Sequence, residues 1–406
     1  MSKSKSSSKL DITVALYDYI PHGKFQRGRM RLVFGGKDSN TQFINSIGRI
    51  MMDRVPTYAF ARELIKVERI DPESGYRDSV AVNHDMITLG LKNIPVRNVD
   101  PGFHYLHERY WKGVDYLDDA RETHEDEKRV ELNIDVRNTA DEMDIEALLP
   151  VTTNDMSIYI DDEESDLYDP DFPFLLLKLK PKEQIRLSAR AVLGVGLRNA
   201  CWQAASNFAM DDETFENEGK TIFMFKAIQF DEYTLMERAL AYFADRTDLI
   251  TTMMEKMYLT EEAKTGTFVA MIDGEDYTIG TPLAYEIQSH PDVLMASCAM
   301  PDYLVDQLKI EIVTDDPNRM VDIIQESAAN LQAKIKAVQD QFAKIRNSTY
   351  SDYLDSNGKS KFYDYDVVRS EDPVQSKTAK TSSKATKTAK TSSKATKSKA
   401  KAKANK

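Results

Sequence analysis

The sequence of 406 residues contains little cysteine and no long apolar run. Its two cysteines, Cys201 and Cys298, cannot build a disulfide framework or a four-cysteine zinc site, so we expect them to be small, buried apolar residues. No uninterrupted apolar run reaches the roughly 18 residues of a membrane helix. The opening residues, MSKSKSSSKLD, lack the apolar stretch of a signal peptide. These absences predict a soluble intracellular protein.

Motifs of common catalytic sites are also missing. There is no GxxxxGK[ST] phosphate loop, and GVGLRN at 194–199 lacks the third glycine of a dinucleotide fingerprint. IDGED at 272–276 has three carboxylates, but Asp and Gly are ordinary turn residues, which favours a turn over a metal site. His104, His107 and Glu108 could hold a metal ion together with His124 if they shared a helix face, although HxxHE is not the HExxH of zinc enzymes. A stand-alone metal-binding enzyme therefore remains an alternative.

Charge is distributed unevenly along the chain. The net charge is −12, yet the residues from Gln375 onward hold eleven lysines and no acid, so residues 1–374 carry −23. KTAKTSSKAT at 377–386 recurs at 387–396, and without aromatic or branched apolar residues this tail is expected to be disordered. Phosphate contact through its lysines would make the chain a nucleic-acid-binding protein, and solubilisation is the other possible role. The lysines considered for this contact are Lys377, Lys380, Lys387 and Lys390. The acidic segment 115–171 is expected to form solvated surface and loops, and a site for a basic partner is the alternative.

Three amphipathic helices are predicted. The first spans 40–54, with capping-box spacing at Ser39 and Gln42 and a stop before Pro56. The second follows the strand-like TIFMFKAIQF, and the third opens at DDPN. Their apolar residues alternate in spacing between three and four, which predicts either a helix–helix seam or a face packed on the chain's own sheet. Strand-like segments precede both long helices, which indicates an α+β fold.

A resemblance to a known family rests on three segments. FINSIGRIMMDRVPTYAF (43–60) resembles the signature helix of alpha-like RNA polymerase subunits, namely the bacterial alpha N-terminal domain, archaeal D and the third-largest eukaryotic subunit. LGLKNIPV (89–96) and ARAVLGVGLRNACW (189–202) are similar to two further family segments. Gly48 replaces the family's first arginine, so the resemblance leaves Arg49 for contact with the second-largest subunit, and an ion pair with Asp53 is the alternative. Gly194 and Gly196 are expected to permit a tight turn.

A later segment resembles a different subunit. FVAMIDGEDYTIGTPLAYEIQSHPDVLMASC (268–298) is similar to the small partner subunit, which is archaeal L or the eleventh eukaryotic subunit, and Glu275 to Gly280 match its Glu-Asp-His-Thr-Leu-Gly motif. Pro282 departs from the pattern, so we expect this helix to begin one turn late, capped by Thr281. The matches cover about residues 12–345. They imply two fused subunits, as in large DNA viruses that encode their own transcription apparatus.

The resemblance implies an α+β fold with two strand-plus-helix dimerisation modules paired within one chain and a β-rich inserted domain in the first. The predicted parts are an alpha-like domain (10–56 and 218–260), an insert (57–217), a linker (261–266), a small-partner-like domain (267–347) and a disordered tail (348–406). The first helix is expected to pack beside the second and against the third. The residues expected at subunit interfaces are Asn45, Ile47, Arg49, Ile50, Met51, Met236, Leu240, Phe243, Ile250, Met254, Thr278, Gly280, Ile324, Leu331, Ile335 and Val338.

The function implied by the resemblance is that of a non-catalytic assembly platform of a DNA-dependent RNA polymerase. The two largest subunits would bind the paired halves, hold Mg²⁺ and transfer nucleotides, so no catalytic residue, metal or cofactor is expected in this chain. A small further subunit is expected as a partner, nucleic acid only indirectly or through the tail, and no membrane. Two cysteines cannot form the zinc or iron–sulfur site of some relatives, and the acidic segment occupies the same insert. We expect the protein in the cytoplasm of an infected cell, in the virion, or in the nucleus.

Overall fold

The computed structural model describes residues 10–20, 28–79, 82–118, 120–144, 146–212, 220–260, 265–302 and 304–348. In these segments the α-helices are α1 (Thr41–Asp53), α2 (His84–Lys92), α3 (Glu232–Thr260), α4 (Tyr277–Gln288) and α5 (Met320–Asn347). The strands are β1 (Thr13–Ile20), β2 (Arg29–Gly35), β3 (Thr57–Glu68), β4 (Val130–Arg137), β5 (Leu149–Thr152), β6 (Ser157–Ile160), β7 (Glu163–Glu164), β8 (Leu175–Leu179), β9 (Gln184–Gly194), β10 (Ala205–Asp212), β11 (Thr221–Ala227), β12 (Thr267–Asp273), β13 (Val293–Ala299) and β14 (Gln307–Thr314). The lysine-rich tail that the sequence predicts to be disordered lies, apart from Ser348, outside the described residues. None of the described helices combines the length and apolar character needed to span a bilayer.

The first module consists of a four-stranded antiparallel sheet, in the order β1-β2-β11-β10, with helices α1 and α3. Alternate residues of β11 are buried, which fits a strand with one face against helices. Helix α1 closely matches the predicted 40–54, but its cap is Asn40, whose side chain accepts from the Phe43 N–H at 2.7 Å, and not Ser39. The helix ends before Pro56, as predicted from the fixed backbone of proline.

The second module consists of a three-stranded antiparallel sheet, in the order β12-β14-β13, with α4 and α5. The expectation that α4 begins one turn late at a Thr281 cap is wrong, because Asp276 caps the helix and Pro282 lies inside it. Pro282 cannot donate to the Thr278 carbonyl, but the first turn stays helical because the Asp276 carboxylate accepts from the Thr278 N–H at 2.7 Å. Burial of Ile279 on the sheet further stabilises this turn.

The insert, defined here as residues 57–204, contains a five-stranded sheet in the order β3-β9-β4-β6-β7, the β5-β8 pair and α2. Apolar residues from its strands, α2 and the following loops form a core separate from that of the two modules. Strand β10 falls within the stretch that the sequence assigned to the insert, yet it pairs with β11 in the sheet of the first module. The predicted domain boundaries otherwise stay a prediction.

A single apolar core joins the two modules. It includes buried residues of both sheets and of α1, α3, α4 and α5. Helix α3 packs on α5, and α1 packs on α3 and α4. The sequence predicted α5 as the neighbour of α1 in the second module, but α4 takes that place because α5 lies along α3 and reaches β1. The predicted α+β class, with two strand-and-helix modules paired in one chain and a β-rich insert, is confirmed.

Candidate subunit-assembly site

The predicted interface residues lie almost entirely inside the helix layer between the modules. Asn45 is half-buried and Arg49 is exposed, while the other fourteen are buried. They are Ile47, Ile50 and Met51 of α1, Met236, Leu240, Phe243, Ile250 and Met254 of α3, Thr278 and Gly280 of α4, and Ile324, Leu331, Ile335 and Val338 of α5. The period of about 3.5 residues on α3 and α5 places each apolar row toward the facing helix. The structure therefore brings these residues together within one chain.

Polar contacts fix the alignment of α3 against α5. The Gln332 side-chain amide donates to the Ala244 carbonyl and to Asp248 Oδ1, both at 2.7 Å. Near the far end of α5, Arg346 forms an ion pair with Glu237. Because each of these contacts can form in only one alignment of the two helices, they specify the register that the apolar seam alone leaves open.

A partly buried ion pair joins the end of α1 to the start of α4. Arg54 follows the last residue of α1 and is 8% exposed, and its Nη2 lies 2.9 Å from Asp276 Oδ2. Burial by itself would raise the pKa of Asp276, but the Arg54 guanidinium and the contacts with Thr278 outweigh burial and lower it. One carboxylate thus caps α4 and neutralises a cation of the first module.

A second, more deeply buried ion pair lies beside the first. Arg246 of α3 pairs with Glu275, whose side chain is 1% exposed. Gly274 has a positive φ of 74°, which lets the chain turn after β12 and present both carboxylates to the first module. Burial raises the pKa of Glu275, although the two arginines oppose this shift.

These four charged residues were missed as interface residues in the sequence. IDGED was predicted to be a turn, which it is, but no partner was predicted for its carboxylates. A usable signal was present, since Glu275 and Asp276 belong to the motif that carries the resemblance. The arginines gave no comparable signal, because spacing along a sequence does not identify partners that are 222 residues away, as for Arg54, or 29 residues away, as for Arg246.

Helix α5 also binds the edge strand of the first module. The Gln341 side chain accepts from the Val14 N–H at 2.8 Å and donates to the Ile12 carbonyl at 2.9 Å. The amide thereby forms hydrogen bonds with a backbone N–H and a backbone carbonyl that an edge strand would otherwise leave free to pair with another chain. Within the second module, Lys334 of α5 and Glu286 of α4 form a buried ion pair at 2.6 Å.

Arg49 lies on the exposed side of α1. Across the described segments it forms no ion pair, and the nearby Asp53 contacts the Gln203 amide at 3.5 Å. Burial raises the pKa of Asp53, but the charge of Arg49 opposes this shift, so the alternative role of Arg49 beside Asp53 stays a prediction. Arg49 lines a pocket of about 210 Å³ with parts of all three regions. Leu197 of the insert and Tyr277 of the second module form part of its wall.

Three glycines allow close packing around α1 and β9. A Cβ on Gly48 would lie 2.1 Å from the Phe208 ring, so the departure from the family's arginine accompanies an aromatic side chain packed on α1. Gly194 and Gly196 were expected to permit a tight turn. Gly196 does lie in such a turn, in which the Arg198 N–H donates to the Val195 carbonyl at 3.0 Å, whereas Gly194 is the last residue of β9. Gly194 instead leaves room for the Trp202 ring, and Gly196 approaches the carbonyl of residue 52.

The histidine cluster considered for metal binding does not assemble. The segment around His104 and His107 is not a helix, apart from a single 3₁₀ turn at Glu108–Tyr110. His104 Nε2 contacts Asp245 at 2.6 Å, while His124 stacks on Phe103. Within the described ranges, no group of three or more His, Cys, Asp or Glu side chains could hold a metal ion.

The remaining site predictions have mixed outcomes. Both cysteines are only partly buried, not fully as expected, and burial raises the pKa of each thiol to about 11. The four tail lysines proposed for nucleic-acid contact lie outside the described residues.

Comparison with known proteins finds similarity to RNA polymerase subunits. Residues 267–341 match the family described as the RNA polymerase Rpb3/Rpb11 dimerisation domain. The chain is also 27% identical over 333 residues to a protein of Acanthamoeba polyphaga mimivirus named "Putative DNA directed RNA polymerase subunit", covering 76% of this chain and 90% of that protein. The predicted resemblance to RNA polymerase subunits of a large DNA virus is therefore confirmed.

Proposed function

We propose that this chain is the non-catalytic assembly platform of a DNA-dependent RNA polymerase of a large DNA virus. Its two modules form within one polypeptide the pair that other polymerases build from two subunits. The paired modules bind the two largest subunits, which hold Mg²⁺ and perform nucleotidyl transfer, and a small further subunit. In this role the chain acts in the infected cell, where transcription takes place, or in the virion.

The observation that carries the proposal is the apolar core shared by the two modules, one of which matches a dimerisation domain. Separate subunits lose translational and rotational freedom on pairing, estimated at about 4–15 kcal/mol, whereas a short linker gives an effective concentration on the order of millimolar. The predicted linker, 261–266, joins helix α3, which ends at Thr260, to strand β12, which begins at Thr267. Fusion of the modules thus makes their pairing obligatory.

Arg49 is our candidate for direct contact with the second-largest subunit. It is exposed, whereas the neighbouring Arg54 and Lys112 both form ion pairs within the chain. An exposed guanidinium beside apolar side chains such as Leu197 suits a partner surface that offers a carboxylate. Because the pocket includes residues of both modules, such a partner would bind the paired form.

Affinity purification of the tagged chain from cells that make the polymerase tests the proposal. We expect two very large polypeptides in the eluate together with template-dependent RNA synthesis. Arg49→Glu should lower their recovery at least about tenfold, as expected for an interface hot spot. Arg69→Glu, at an exposed arginine of the insert, is the matched control. Recovery of the wild-type chain alone would contradict the platform role.

A second candidate function is nucleic-acid binding through the tail, which the eleven lysines after Val374 favour. Deletion of residues 375–406 should abolish retention on DNA at low salt if this function is correct, because lysine–phosphate binding depends on released counterions. The same deletion should leave recovery of the large polypeptides unchanged if the platform proposal is correct.

A further inference from the structure

One segment of the insert crosses from the first module to the second. We call residues 100–112 the strap. It follows α3 closely: Asp100 forms an ion pair with Arg238, and His104 Nε2 lies 2.6 Å from Asp245 Oδ2. Since residues 238 and 245 are about two turns apart on α3, the strap runs along the helix and does not merely touch it at one point.

The middle of the strap covers the buried charge between the modules. The Tyr105 ring lies 5.5 Å from the Arg246 guanidinium carbon and 6.0 Å from the Tyr242 ring centroid. Arg246 is the partner of the buried Glu275. An aromatic face over a guanidinium attracts the cation and also excludes water from it, so Tyr105 helps to shield this ion pair from solvent.

The end of the strap reaches the second module directly. Lys112 Nζ lies 3.1 Å from Asp306 Oδ2, just before β14, and 3.3 Å from Glu108 Oε2. The Glu108 carboxylate also packs on the turn that follows β12, where a Cβ on Gly274 would lie 2.6 Å from Glu108 Oε1. The strap is also anchored in the core of the insert, because Leu106 in its middle and Trp111 beside Lys112 are buried there.

We propose that the strap is an interaction surface of the paired modules, in addition to their apolar core and the ion pairs between them. The strap binds the second module and holds it against α3. To separate from the first module, the second module must break the Lys112–Asp306 contact and expose the Arg246–Glu275 pair beneath Tyr105. The insert is therefore part of the device that keeps the modules paired. This inference concerns the chain alone, and its failure would leave the proposed polymerase role untouched.

Hydrogen exchange of the full-length chain, resolved by peptide, tests the strap. Tyr105→Ala removes the ring over Arg246 and should speed exchange in the peptide spanning 274–284 by about threefold or more. Tyr110→Ala is the matched control, since Tyr110 belongs to the strap but packs on Arg109 and His124 within the insert. Exchange in 274–284 should stay at the wild-type rate in the control.

A charge reversal provides a second variant that does not depend on a large side chain. Lys112→Asp should also speed exchange in 274–284 by about threefold, because it places like charges opposite Asp306 and Glu108. Adding Asp306→Lys should restore the wild-type rate, which a general loss of stability would not do. Lys66→Asp, at an exposed lysine elsewhere in the insert, is the control.

The inference fails if both Tyr105→Ala and Lys112→Asp speed exchange within 100–112 but leave 274–284 unchanged. The strap would then lie against the modules without holding them together. If Tyr105→Ala unfolds the whole chain, the charge reversal and its rescue decide the question, because Lys112 is an exposed residue.

Discussion

Replacing Asp276 with Asn isolates the charge of the partly buried pair that joins α1 to α4. The amide oxygen of Asn can still accept from the Thr278 N–H, so the helix cap is kept. What is lost is the negative charge 2.9 Å from the Arg54 Nη2. The Arg54 side chain is 8% exposed, so the variant leaves a guanidinium that water cannot fully solvate.

The size of the effect follows from two opposing contributions. Two unit charges 2.9 Å apart attract by about 6 kcal/mol at an effective dielectric constant of 20. Desolvation of the two groups opposes this attraction by several kcal/mol. The Asp276 side chain is 30% exposed, which reduces its share of this desolvation cost. Removing one member of a buried pair costs about 3–5 kcal/mol, and partial exposure places the expected loss at the lower end, about 3 kcal/mol.

Urea unfolding with two probes measures this loss. Both tryptophans, Trp111 and Trp202, lie in the insert, so their fluorescence follows the insert, while circular dichroism at helical wavelengths follows mainly α3 and α5. We expect Asp276→Asn to lower the urea midpoint of the circular dichroism signal more than that of the fluorescence. A single midpoint need not hold for a chain with more than one core.

A double-mutant cycle with Arg54→Met provides the refutation. If the pair is coupled, the double variant should be more stable than the sum of the single losses predicts, by about 1–3 kcal/mol. Additive losses, or a change below about 0.5 kcal/mol for Asp276→Asn, would show that the pair does not stabilise the paired modules.

Three further predictions concern the packing of α1, the contact of α5 with β1 and the pH dependence of Asp276. Gly48→Ala should destabilise the chain by about 1–2 kcal/mol in urea unfolding despite the better helix propensity of alanine, because its Cβ meets Phe208, and Phe208→Ala should relieve the loss. Gln341→Ala should cost about 1–3 kcal/mol and speed hydrogen exchange at the Val14 amide, which loses its acceptor. Since the folded-state pKa of Asp276 lies below its ordinary value of 3.8, its stabilisation is complete above that value and is lost as the pH falls through the lower folded-state pKa. Unfolding midpoints measured across that window should fall less steeply for Asp276→Asn than for the wild type.

The helices and their buried faces could be predicted from the sequence because helix packing imposes a spacing on apolar residues. The rows on α3 and α5 are buried as expected, and only Asn45 and Arg49 of the sixteen predicted interface residues are not. What covers a given face could not be predicted. Periodicity shows that α1 has an apolar side, but both α4 and α5 have apolar faces that could cover it, so α4 was missed as the neighbour of α1.

Local rules were overridden where distant residues act on the backbone. Pro282 is an ordinary signal to delay a helix, yet the turn before it is held by Asp276, which Arg54 anchors from the other module. The packing of Gly196 likewise depends on the backbone at the end of α1, which a Cβ at this position would meet. Such contacts join residues far apart in the sequence, and no local pattern encodes them.

The apolar seam and the polar contacts between the modules make different contributions. Apolar burial is non-directional, so a seam with a repeat of seven residues gains similar energy if one helix slides by two turns. After such a slide, Arg54 and Glu275 would be buried without partners, and Gln341 would lose the backbone of β1. Because an unpaired buried charge costs several kcal/mol, each ion pair makes every alignment of the two modules but one less stable. We infer that apolar burial supplies the stability of the paired modules, and that these contacts select the single alignment that a partner surface assembled from both modules requires.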